Sequence, residues 1–167
     1  LVGNYLGVER IGEWLLDHLS VEMMDALPVV CTEDMSMVKH ANMIVCASNT
    51  PAPVIYPNML GEGPIVISDI AVPNDVDDSV LTERSDVMVI QGGVVRLPYN
   101  PDFMVGGIPL DPGTSFACMA ETILLGLTGI REHYSYGRIT KVQVKKIQEI
   151  AKIHGFSLGR FKTERSF

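Results

Sequence analysis

The sequence predicts an α/β domain built on a doubly wound parallel sheet, and three observations carry that expectation. Short β-branched runs alternate with segments of helical periodicity from the first residues onward. The runs at 42–49, 63–73 and 85–93 are continuously apolar rather than alternating, as strands are when helices cover both faces of a sheet. Small polar turns follow two of these runs, "ASNTP" at 47–51 and "QGG" at 91–93, the place where such sheets receive their ligands.

In chain order, "LVGN" at 1–4 reads as the end of a strand, and Ile11, Trp14, Leu15 and His18 share one helical face. "LPVVC" at 27–31 reads as a strand, and Thr32 as the N-cap of a short helix over "TEDMSMVKHA" at 32–41. The three apolar strands follow. The Gly/Pro-rich stretch at 99–113 reads as a long irregular loop, after which Phe116 to Leu127 forms a very apolar helix capped by Asp111 or Thr114. A last helix is expected from the N-cap Thr140 to His154, with Val144, Ile147, Ile150 and Ala151 inward and Gly155 as the residue just past its end. These elements divide into a partial NAD(P)-binding domain at 1–113 and a C-terminal helical segment at 114–167 packing on the same domain.

Composition narrows the functional classes. With 167 residues, 47% apolar and 20% charged, the chain can bury a sizeable core, and no apolar run is long enough to span a membrane. The N-terminus lacks the basic and apolar regions of a signal peptide, and three cysteines without C-x-x-C spacing suit a reducing, cytoplasmic compartment better than a disulfide framework. No histidine pair has metal-ligand spacing, so no metal is expected. The net charge of −7 is unevenly spread: residues 1–127 carry 4 Lys/Arg against 17 Asp/Glu, and residues 128–167 carry 9 against 3. This basic end steers an acidic partner, or it is a solvated helix surface; nothing in it suggests nucleic acid.

A glycine loop of the form G-x-G-x-x-G is absent, since Gly3, Gly7 and Gly12 lack that spacing. The sheet is therefore expected to be Rossmann-like but without its first strand and phosphate loop, which would lie upstream of residue 1. Exposed sheet edges then make a homo-oligomer plausible. Asn4 would sit near the adenosine ribose, while the small residues Ala47, Ser48, Gly92 and Gly93 let a cofactor approach the backbone. Those turns have a plain structural explanation too, as ordinary strand ends.

Cys118 sits just inside the apolar helix. A helix start favours the thiolate, the form that attacks a carbonyl or thioester carbon. Glu121 and Thr122 share its face, and an acid there can relay a proton while opposing the thiolate's charge. A free cysteine is also among the most buried residue types, so Cys118 is either a nucleophile or a core filler among Phe116, Met119 and Ile123. His154 reads as a helix-end residue, and His133, between acidic and aromatic neighbours, as an acid/base or a packing group.

The blocks "QGGVVRLP", "FACMAETILLGLTGI", "REHYSYGRIT" and "HGF" resemble the C-terminal half of cyanobacterial long-chain acyl-[acyl-carrier-protein] reductases and related predicted amino acid dehydrogenases, over roughly residues 42–157. The resemblance implies NADP or NAD as cofactor, an acyl carrier protein as partner, and an acyl thioester formed on the cysteine of a "FAC-x-AE" block before an aldehyde is released. That block falls on Cys118 and Glu121, and the family's cofactor turns fall on Ala47, Ser48, Gly92 and Gly93. Three functions fit these residues: reduction of an activated acyl group through Cys118, oxidation or reduction of a small amino or hydroxy acid without a covalent step, and a non-catalytic domain that keeps the fold for packing.

Overall fold

The computed structural model describes residues 30–101, 110–137 and 139–159. Its contacts gather into two compact units, one ending at Ile90 and the other beginning at Gln91. The strand ends and helices expected within residues 1–29, with Asn4 and His18, lie outside the described residues.

The first unit holds a three-stranded parallel sheet in the order β1, β2, β3, made of Met43–Cys46, Ile65–Asp69 and Val87–Gln91. β1 and β2 run in register from Met43 opposite Val66 to Cys46 opposite Asp69. All three strands fall where continuous apolar runs place them, and sheet and helices together form a mixed α/β arrangement consistent with a Rossmann-like fragment. Ile65 and Ile67 of β2 are buried, and Val38, Ile55, Leu60, Val76, Val80 and Val89 close around them. Val80 comes from α1, the short helix Ser79–Glu83 between β2 and β3. Burying each such side chain stabilises the fold by about 1.5–3 kcal/mol before the entropy of ordering it is counted.

Three expectations are corrected in this unit. β1 is not buried on both faces: Met43 is 77% and Val45 63% exposed, while Cys46 is buried, so the strand alternates as a half-covered one does. The short helix is a 3-10 helix over Met35–His40, and its N-cap is Asp34. The Asp34 carboxylate accepts from the Ser36 N–H, and Thr32 instead accepts from the Asp34 N–H, so the cap lies two residues later than expected. Val30 and Cys31, the described end of the "LPVVC" run, are not in a strand.

The second unit pairs three short strands antiparallel in the order β5, β4, β6: Thr114–Phe116, Val94–Arg96 and Ser157–Leu158. Helix α2, Ala117–Leu127, follows β5 directly, and α3 spans Lys141–Ile153. Both helices end in Schellman motifs. In α3 the Phe156 N–H donates to the Ala151 carbonyl and the Gly155 N–H to Lys152, with Gly155 at φ +77, as its expected place past the helix end requires. At the other end Thr140 and Gln143 form a reciprocal capping box, the Thr140 N–H donating to Gln143 and the Gln143 N–H to the Thr140 hydroxyl. Of the residues expected inward, Ile147, Ile150 and Ala151 are half-buried, but Val144 is exposed; Gln143 takes the inner position instead. Gly113, just before β5, stands at φ +74, where an added Cβ would collide with the Asn100 side chain. Among the described residues no helix is long and apolar enough to cross a membrane.

Candidate functional site

In the parallel sheet the carboxyl ends of the strands share one edge, and β1 runs there into Cys46, Ala47 and Ser48. Ala47 is exposed and presents backbone with only a methyl group beside it. Ser48 is committed to Asp75, a carboxylate 2% exposed. Its N–H donates to Asp75 Oδ2 at 2.8 Å and its hydroxyl to Oδ1, with the Thr50 hydroxyl 3.4 Å from the same oxygen. Asp69, at the end of β2, accepts from the N–H groups of Ala71 and Val76 at 3.1 and 3.0 Å. Two buried carboxylates thus fasten the loops that leave β1 and β2, and these backbone donors supply the partners that buried charge requires. The buried Cys46 thiol is pushed up to about 12, first by burial and then by the negative charge of Asp69 and Asp75. Cys46 is therefore a packing residue rather than a nucleophile.

Gly92 and Gly93, the turn after β3, belong to the second unit together with Cys118 and Glu121. Gly93 adopts φ +70 and aims its carbonyl at the start of α2, where it accepts from the Ala117 N–H at 2.7 Å. The helix has Phe116 as its N-cap and no side-chain cap. Asp111 and Thr114 do not cap it. Thr114 is a strand residue whose N–H and hydroxyl both donate to the Asp111 carbonyl, while β4 and β5 pair with Val94 opposite Phe116 and bring the glycine turn to the helix.

Cys118 is the second residue of α2 and is exposed. The core positions of the helix are Ala120 and Leu124. With Ala117 bonded to Gly93, the N–H groups of Cys118 and Met119 have no hydrogen-bond partner among the described residues. Thr122 returns its hydroxyl to the Cys118 carbonyl at 3.2 Å. Glu121, one turn from Cys118, accepts from the hydroxyl of Ser135.

That bond ties α2 to the segment 131–137, which is tied in turn to α3. Gln143 Nε2 donates to the Tyr134 carbonyl at 2.6 Å, Tyr134 donates its hydroxyl to the Gln143 carbonyl at 3.3 Å, and the Lys146 ammonium lies 5.6 Å from the Tyr134 ring centre. His133 is exposed, its ring 5.7 Å from that of Tyr136. His154 is the C-cap of α3, as expected of a helix-end residue. Sequence reasoning missed Asp69, Asp75 and Ser135. Asp69 had a signal, since an acid closing an apolar run at the ligand-bearing edge of a sheet is unusual, whereas Asp75 and Ser135 had none. No group of three or more His, Cys, Asp or Glu side chains among the described residues can hold a metal ion.

Comparison with known proteins finds enzymes similar to stretches of this chain, among them an aminotransferase and a reductase. Aminotransferase PigE of Serratia sp. (strain ATCC 39006) is 32% identical over 146 residues, 85% of this chain and 16% of that protein. The long-chain acyl-[acyl-carrier-protein] reductase of Synechococcus elongatus is 29% identical over 121 residues, 70% of this chain and 35% of that protein. The chain thus spans only a minor part of either relative. No family model matches the sequence.

Proposed function

We propose that this chain is the part of an NAD(P)H-dependent oxidoreductase in which Cys118 takes an acyl group from a thioester, so that it can be released as an aldehyde. The observation that carries this reading is the exposure of Cys118 in the first turn of α2, where its own N–H and that of Met119 have no partner among the described residues. Similarity to an enzyme named as an acyl-carrier-protein reductase supports the same substrate class.

The chemistry follows from that placement. The Cys118 sulfur, as thiolate, attacks the thioester carbon, and the carbonyl π electrons move onto oxygen. The N–H groups of Cys118 and Met119 are the donors available to that oxyanion. When the carbonyl re-forms, the carrier thiolate leaves and takes up a proton, and the acyl group remains on Cys118 as a new thioester. A nicotinamide, when bound, supplies the hydride that displaces the sulfur and yields the aldehyde. Glu121 is held by Ser135 one turn away, so its role is to orient the segment 131–137 against α2 rather than to take the thiol proton. For the dinucleotide, exposed Ala47 at the carboxyl end of β1 suits close approach to backbone within the first unit, and Gly92 and Gly93, which belong to the second unit, offer backbone without side chains there. The Ser48 hydroxyl is committed to Asp75, so Ser48 contributes the shape of its turn more than a free donor.

Mass spectrometry tests the reading. Full-length protein is incubated with an acyl-carrier thioester in the absence of NADPH, wild type beside Cys118→Ala. An acyl adduct mapped to Cys118 and missing from the variant is expected. Absence of any adduct from a wild type that still binds a nicotinamide cofactor would favour a dehydrogenase of a small amino or hydroxy acid.

A further inference from the structure

We infer that the outward face of α3 is the docking surface for the acidic carrier protein that brings the acyl group to Cys118; this rests on the thioester reading above. Along a helix turning 100° per residue, Lys141, Lys145 and Lys152 fall on one stripe, opposite the half-buried Ile147, Ile150 and His154. The stripe is about 16 Å long at 1.5 Å rise per residue. None of the three lysines forms an ion pair with a described residue, although Glu149 stands four residues beyond Lys145. Beside the stripe runs a second row, Val142, Lys146, Glu149 and Ile153, whose apolar ends are 76% and 79% exposed.

The two exposed β-branched side chains add apolar area beside the lysines for a partner to cover. A basic stripe bordered by two exposed apolar side chains is instead complementary to an acidic helix that carries apolar residues of its own. The charge distribution of the chain favours the same partner. Residues 1–127 are strongly acidic, with 17 Asp/Glu against 4 Lys/Arg, so an acidic protein is repelled there and drawn to this end. The surface is also fastened to the nucleophile's helix. Gln143, near the start of α3, holds Tyr134, and the adjacent Ser135 holds Glu121, one turn from Cys118. A carrier seated on α3 is therefore positioned relative to the thiol by a continuous set of hydrogen bonds within one unit.

The test uses full-length protein and the triple variant Lys141→Glu, Lys145→Glu, Lys152→Glu, whose side chains are exposed. Acylation of Cys118 is timed with the acyl carrier protein thioester and with the N-acetylcysteamine thioester of the same acyl group, which has no protein to dock. Binding of a fluorescent holo-carrier is followed by anisotropy in the same samples. The expected result is an acylation rate from the carrier about tenfold lower in the variant, the wild-type rate falling with added salt, and rates from the small thioester equal in both proteins. Equal carrier rates and equal carrier binding in the two proteins overturn the inference. So does wild-type binding to anionic vesicles or to DNA that the variant loses while carrier binding is unchanged. If neither thioester acylates Cys118, the proposed role of the thiol fails, and weaker carrier binding by the variant still decides the docking surface.

Discussion

Cys46 links the stability of the fold to alkaline pH. Its thiol is buried at the end of β1 with the carboxylates of Asp69 and Asp75 nearby, and it is pushed up from 9.0 to about 12. In the unfolded chain it ionises at its ordinary value, so between pH 9 and 12 the folded state holds a proton that the unfolded state has lost. Stability from this group is complete below pH 9 and declines by roughly 1.4 kcal/mol per pH unit above it. Raising the pH from 8 to 10 should therefore cost about 1.4 kcal/mol through Cys46 alone. Other groups titrate in the same range, and Cys46→Ala leaves a small void whose cost does not depend on pH. Urea denaturation of wild type and Cys46→Ala at both pH values isolates the linked proton as a double difference. A stability gap between the two proteins that is the same at pH 8 and pH 10 refutes the assignment of a raised, proton-retaining thiol.

Iodoacetamide at pH 8 should label the exposed Cys118 and Cys31 in the native protein and reach Cys46 only in denaturant, as peptide mapping would show. Thr140→Ala removes one half of the α3 capping box and should lower stability by about 1 kcal/mol in urea denaturation. Ser48→Ala deprives the buried Asp75 of its hydroxyl donor and should cost roughly 1–3 kcal/mol, with Ser48→Thr retaining part of it. Ile67→Ala, at a side chain with no exposed surface, should cost about 2–5 kcal/mol; a loss below 1 kcal/mol would mean that the core of the first unit is not packed around β2.

Helix α3 was legible from end to end because its signals are local: Thr140 three residues before Gln143, an apolar stripe, and a glycine at the only place where positive φ is needed. Its one error, Val144, lies at the margin of that stripe, where periodicity alone cannot separate inner from outer. The extent of α2 was legible, but its start was assigned to Asp111 or Thr114 because sequence reasoning looks for a cap nearby. The group that bonds the first N–H is the carbonyl of Gly93, far back in the chain, brought there by the pairing of β4 with β5. That antiparallel sheet went unforeseen, since strands of two or three residues carry no periodicity. The parallel strands were placed correctly, yet β1 was expected to be covered on both faces, and apolar composition cannot report that Met43 and Val45 face outward. Cys118, Glu121 and the glycine turn are the candidates that the sequence singles out. Their shared unit follows from the strand pairing.

The bond from Ala117 to the Gly93 carbonyl couples the glycine turn to the helix that bears Cys118. Gly93 sits at φ +70 in a two-residue turn, so a ligand that rotates its peptide plane withdraws the acceptor from Ala117. The Ala117 amide then becomes a built-in gauge of events at the turn. Its hydrogen–deuterium exchange should slow when the turn is clamped and quicken when the turn is pulled away, giving a readout of occupancy one residue from Cys118.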